Sequence, residues 1–313
     1  MMNAKGLMGV CGTGRIGACL ATLMIGNGID TVVVGRSKGG IDKCCEIIDS
    51  NFSELELAGK VRCDQIKRAL AHLRITDDYS EMQDASFIME AVPEECESKT
   101  ATYNVLESIV SHEAIIASCT SSIISDKLFK DVACPERFVI AHPFQPAHLQ
   151  PLVEIVASKR TSQDVIQRTK RILEVQLKRQ TVLLKKEVPG FLVNRLAQAM
   201  FRESIYMIEN GVADPNDVDK AVKYAVGVRY SNIGLLEYFD DVGFSLEKSI
   251  AENVYPSLCN TACVQERVKD GLANGNSGIR AGKGFYEWNP DGIAVYHARK
   301  TEPLLDLFNW DLP

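Results

Sequence analysis

The apolar run Leu7-Met8-Gly9-Val10-Cys11 leads into Gly12-Thr13-Gly14-Arg15-Ile16-Gly17, then into a helical period that stops at Gly26-Asn27-Gly28, and Thr31-Val32-Val33-Val34 follows. Nothing else restricts the fold as strongly. A strand, a Gly-x-Gly-x-x-Gly turn, a helix and a second strand form the dinucleotide-binding unit of a doubly wound α/β sheet. Gly12 suits the tight turn, Gly14 the close approach of backbone to a pyrophosphate, and Gly17 the packing of helix on strand. The diphosphate faces the helix N-terminus, so Arg15 and Ile16 join the glycines as candidate cofactor contacts.

An NAD site usually carries an acid about 20 residues beyond the glycines, where it bonds the adenosine ribose. This chain has Gly35 there, followed by Arg36, Ser37 and Lys38. The absent acid removes repulsion against a 2′-phosphate, and Arg36 and Ser37 offer it donors. The cofactor expected is therefore NAD(P), leaning to NADP. As solvated loop charges, Arg36 and Lys38 are equally compatible with NAD.

With 313 residues and 46% apolar content, the chain has enough material for two domains. Its 35 basic and 41 acidic side chains give a net charge of −6 without basic blocks, which argues against nucleic acid as a partner. No apolar run approaches a membrane span of about 18 residues. The ten cysteines lack metal-ligand spacing and read as reduced thiols, so neither metal nor disulfide is expected, and the setting expected is cytoplasmic.

Residues 41–73 read as a helical hairpin inserted after the second strand. Further short β-branched runs over 86–92, 114–118, 138–142, 152–156 and 181–184 alternate with helical stretches, as an α/β fold requires. At Val188-Pro189-Gly190 the pattern becomes helical. The expected division is a Rossmann-type domain over 1–188 and an all-helical domain over 189–313, with long helices over 191–210, 235–253 and 259–272.

A dehydrogenase needs a base for the alcohol proton, and histidine titrates in the working range. His142 ends a strand at the sheet's carboxyl edge, where α/β folds bind ligands. Glu154 lies in the apolar run Leu152–Val156, an unfavourable place for an unpaired carboxylate. Together they suit a dyad in which Glu154 fixes the imidazole tautomer. Spacing alone fits a structural histidine and a strand-edge glutamate as well. Ser118-Cys119-Thr120-Ser121-Ser122 follows another strand and suits either substrate contact or a turn. Asn194 shares a polar helical stripe with Gln198 and Arg202, placed either in solvent or on a cleft.

These motifs, in this order, resemble the L-3-hydroxyacyl-CoA dehydrogenase family, including its lambda-crystallin and L-gulonate dehydrogenase branch. The likeness spans nearly the whole chain: the glycine turn, Glu90-Ala91-Val92-Pro93-Glu94-Glu95, the serine run, Ala141-His142-Pro143-Phe144-Gln145-Pro146, Pro151-Leu152-Val153-Glu154, Pro189-Gly190-Phe191-Leu192-Val193-Asn194-Arg195 and Gly282-Lys283-Gly284-Phe285-Tyr286. It implies His142 as base, Glu154 as its partner, and Ser121 and Asn194 as donors around the reacting oxygen. Glu90, Glu95 and Lys99 match positions on the nicotinamide side. It also implies a homodimer formed through the helical domain. The chain departs from the family at Gly35, Cys119, Gln145 and Leu235. The activity expected is interconversion of a short-chain 3-hydroxyacyl-CoA and its 3-keto form. Alternatives are the same chemistry on a free hydroxy acid such as gulonate or carnitine, and a dinucleotide-binding protein without catalysis.

Overall fold

The structure is a computed structural model and describes residues 6–313. Its contacts separate two units. One runs to Leu192 and includes Ala298–Pro313, while the other is Val193–His297. The end of the chain thus groups with the first unit, whereas the sequence placed everything after 189 in the helical one.

In chain order the strands of the first unit are β1 Met8–Cys11, β2 Thr31–Val34, β3 Leu73–Thr76, β4 Phe87–Glu90, β5 Ile115–Ser118, β6 Phe138–Pro143, β7 Leu152–Val156 and β8 Gln180–Leu184. They form one sheet in the order β3-β2-β1-β4-β5-β6-β7-β8, with β7 antiparallel to β6. The first six have the dinucleotide-fold order. β1, β2, β4 and β5 are buried throughout, which is why they read as largely apolar runs, with Glu90 and Ser118 at the carboxyl ends of β4 and β5. β3 is a half-exposed edge strand carrying Arg74, and its mixed polarity let the sequence reading absorb Leu73 into the hairpin helix.

Helix α1, Arg15–Gly26, follows β1, and the hairpin consists of α2, Lys38–Leu57, and α3, Cys63–Leu70. Gly26 has no side chain because the Trp310 ring lies against it. Trp310 also meets Phe52 edge-on, with ring centroids 6.4 Å apart, and Phe308 at 4.8 Å. Around it Asp311 N–H donates to Asn27 at 3.0 Å, Lys178 pairs with Asp311 at 2.8 Å and Arg68 Nε donates to the Pro313 carbonyl at 2.7 Å. The C-terminal residues therefore complete the core over α1 and α2.

The second unit contains the helices Val193–Glu209, Pro215–Ala221, Leu235–Val242, Phe244–Val254 and Glu266–Ala273, and the start of Pro290–Leu305. Gly243, at φ 82°, divides the stretch expected as one helix over 235–253. Among its apolar side chains only Ile205 and Val218 are buried.

Candidate active site

The crevice lies where the strand order reverses, at the carboxyl ends of β1 and β4. Gly12 has φ 120°, and a Cβ there would stand 2.5 Å from the Ala91 carbonyl. A Cβ on Gly17 would strike the Gly12 carbonyl, whereas the space beside Gly14 is open. No side chain caps the first turn of α1. Its N–H groups at Arg15, Ile16 and Gly17 are thus presented to an anion, and the turn fits a dinucleotide diphosphate. Gly35 packs against the Thr13 side chain, whose methyl fills the space a Cβ would take. Ser37 caps α2, accepting from Gly40 N–H at 3.2 Å, and Arg36 is exposed.

Antiparallel pairing of β6 and β7 sets His142 opposite Glu154. Cross-strand neighbours share a face. His142 Nδ1–H donates to Glu154 Oε2 at 2.8 Å, and Glu154 is completely buried. This pairing fixes the tautomer with Nε2 as the acceptor. The second carboxylate oxygen accepts from Leu192 N–H at 2.8 Å, and Phe144 and Phe191 flank the imidazole with centroids at 4.6 and 5.4 Å. The structure thus brings His142 and Glu154 together in a buried, aromatic setting.

A second buried cluster lies under the crevice. Glu90 accepts from Lys99 Nζ at 2.8 Å, the Tyr103 and Ser118 hydroxyls at 2.7 Å each, and Val92 N–H at 2.9 Å. Burial, then the Glu90 charge, pushes the Tyr103 phenol well up, so it stays a neutral donor. Lys99 also reaches Glu94 at 3.3 Å.

Glu94 is the residue that sequence reasoning missed. Its Oε1 accepts from the Thr120 hydroxyl at 2.6 Å, Ser121 N–H at 2.9 Å, Ser122 N–H at 3.1 Å and the Ser122 hydroxyl at 2.9 Å. Partial burial opposes its charge, but the Thr120 hydroxyl, the Lys99 ammonium and the Ser122 and Ser121 donors outweigh burial and hold it down to about 2. Glu95 instead stands at the N-cap of α4, Cys96–Ile109, and accepts from the Ser98 hydroxyl at 3.2 Å. The serine run is therefore a loop clamped by Glu94, with the Ser121 side chain exposed at the same sheet edge. Asn194 belongs to the other unit, in the first turn of the helix Val193–Glu209.

Two family models cover the chain: the 3-hydroxyacyl-CoA dehydrogenase NAD-binding domain over residues 7–188 and the C-terminal domain over 190–288. The protein belongs to the 3-hydroxyacyl-CoA dehydrogenase family and is a nicotinamide-dinucleotide-dependent oxidoreductase acting on CH–OH. It is 27% identical over 297 residues to 5-formyl-3-hydroxy-2-methylpyridine 4-carboxylate 5-dehydrogenase of Mesorhizobium japonicum, covering 95% of each chain. A solved structure of an enzyme of that name, described as an NAD+ dependent dismutase, superposes with TM-score 0.87 at 26% identity over 96% of both chains. L-carnitine dehydrogenase of Staphylococcus epidermidis is 33% identical over 72% of this chain and 69% of its own. The (S)-3-hydroxybutyryl-CoA dehydrogenase of Ralstonia eutropha gives TM-score 0.74 at 25% identity, over 90% of this chain and 99% of that one.

Proposed function

We propose that the protein oxidises the hydroxyl of a small free hydroxy acid, or reduces the matching carbonyl, with His142 as the base. The buried His142–Glu154 pair carries this reading. In the oxidative direction Nε2 of His142 takes the hydroxyl proton, while Glu154 holds Nδ1–H and stabilises the imidazolium that forms. The nicotinamide group, when bound, supplies the hydride acceptor. Ser121 donates a hydrogen bond to the reacting oxygen. Lys99 pairs with both Glu90 and Glu94, so this ion-paired triad fixes the side chains of the nicotinamide side and presents no free positive charge.

The free-acid reading draws on the hairpin. Between Lys38 and Leu70 six basic side chains meet six acidic ones. Arg62 and Arg68 both pair with Asp64, at 3.1 and 3.0 Å, and Arg68 is further engaged by Pro313. Such a surface offers little net attraction to the phosphates of coenzyme A. Two of the relatives above, by their names, act on carnitine and on a pyridine carboxylate. The Ralstonia relative and the Gly282–Tyr286 ending favour a second reading, a short-chain 3-hydroxyacyl-CoA. A panel of L-carnitine, L-gulonate and acetoacetyl-CoA separates them. Turnover of acetoacetyl-CoA alone overturns the free-acid reading, and His142→Ala lowers any true activity by about 10³-fold or more.

NADP(H) is the cofactor we propose, because Gly35, Arg36 and Ser37 present no carboxylate to a 2′-phosphate. NADPH then exceeds NADH in kcat/KM, and Gly35→Asp with Thr13→Gly, which vacates the space for the acid, reverses the order; a wild-type preference for NADH refutes this. Ten free thiols suit a reducing cytoplasm. The apolar faces of residues 193–297 suit a homodimer in which a second copy covers them.

A further inference from the structure

Phe191 is an unusual residue in an unusual conformation. Its backbone is left-handed, at φ 50°, directly after Gly190 at φ 77°. A bulky side chain in that region is disfavoured, and the surroundings must hold it there. They do so on three sides: Phe191 N–H donates to the Val188 carbonyl at 3.0 Å, the ring is 1% exposed, and its edge-to-face packing on His142 places the centroids 5.4 Å apart at 62°. The next peptide delivers Leu192 N–H to Oε1 of Glu154 at 2.8 Å, while Oε2 of the same carboxylate holds His142 at 2.8 Å. Val193 then begins the helical unit.

We propose that Phe191 is a positioning residue for the base, acting through both its ring and its left-handed backbone. The ring limits rotation of the imidazole about the bond that Glu154 provides. The backbone turn aims Leu192 N–H at Glu154, so that neither carboxylate oxygen is left to wander. A torsional change at Phe191 withdraws that N–H, loosens Glu154 and moves Nε2 of His142 off the substrate proton. The orientation of the base is therefore tied to the backbone torsion at the junction of the two units. This rests on His142 being the base.

Two substitutions separate the contributions. Phe191→Gly removes the ring and leaves the left-handed backbone free of steric cost. Phe191→Val keeps an apolar side chain but opposes the left-handed torsion through its branched Cβ. With full-length protein, the low-field proton on His142 Nδ1 is followed by NMR, and kcat and KM are measured with L-carnitine and with acetoacetyl-CoA. Nucleotide binding serves as the control for folding. The Nδ1 proton is expected to persist in Phe191→Gly, with kcat lowered about 3- to 10-fold. In Phe191→Val it is expected to be lost or moved upfield, with kcat lowered about 100-fold, the scale of a 1 Å misplacement. KM should change less than about 2-fold in both, because neither contact belongs to substrate binding. An unchanged Nδ1 signal in both variants, or a loss confined to KM, overturns the proposal. Should Phe191→Val fail to bind nucleotide, Phe191→Gly decides alone, and wild-type kcat there overturns it. His142→Ala is assayed alongside: full activity in that variant refutes the base assignment itself, a result distinct from failure of the positioning role.

Discussion

Residues 6–192 with 298–313 and residues 193–297 belong to one chain but bury their apolar side chains very differently. In the first region seven large apolar side chains are exposed, and nearly the whole buried core of the protein lies there. In the second, twenty are exposed and only Ile205 and Val218 are buried. The helical region gains cohesion instead from side chains bonded across its own segments. Glu203 accepts from Cys259 N–H and Glu209 from Arg267 N–H, each at 2.8 Å, and the Tyr286 hydroxyl donates to Asp219 at 2.6 Å. Such bonds fix geometry, yet each contributes only about 1 kcal/mol, far less than a core. One region is a self-sufficient fold carrying the dyad. The other leaves most of its apolar side chains uncovered in the single chain.

The largest effect that probes this contrast is in the self-sufficient region. Trp310→Ala should destabilise it by about 3–5 kcal/mol, as truncation of a buried aromatic does, measured by urea unfolding. A loss under about 1 kcal/mol would mean that the C-terminal residues merely rest on the surface. Next comes Leu236, 78% exposed in the single chain. On a truly solvated face Leu236→Asp changes stability by no more than about 0.5 kcal/mol. Under a second copy it should weaken self-association by about 2 kcal/mol, roughly 30-fold in Kd, seen as dissociation in sedimentation at micromolar protein. An unaltered monomeric profile for both wild type and variant breaks the comparison.

The smallest effect concerns Glu94. Its folded value of about 2 is below its ordinary 4.5, so the stabilisation it provides is complete above pH 4.5 and is lost as pH falls toward 2. The stability difference between wild type and Glu94→Gln should be flat from pH 7 to 5 and shrink below 4.5. Its size is at most about 1 kcal/mol, because the side chain is 37% exposed and solvent screens it. A difference that grows on acidification contradicts the clamp.

How far the sequence disclosed all this follows from which forces act locally. The central strands and the glycine turn were legible because burial on both faces and a tight backbone approach each demand particular residues. The pairing of His142 with Glu154 was legible as two unusual residues in consecutive strands, although only the antiparallel register makes them face each other. β3 escaped because an edge strand has no reason to be uniformly apolar. Glu94 and Glu95 are adjacent, and nothing local tells which faces the serine loop once α4 begins. Phe191 looked like the start of a helix, since no pattern announces a left-handed phenylalanine. The docking of Trp310 depends on Gly26, nearly the whole length of the chain away, and no local pattern carries it.

That docking has a consequence for how the protein is made. During synthesis the nucleotide-binding unit emerges first, yet the side chains that seal α1 and α2 are translated only after all of residues 193–297. Until then the groove beside Gly26 and Phe52 stays open to solvent, so a nascent chain holds a nearly finished sheet with one unsealed seam. Completion of the first unit therefore waits on translation of the helical region.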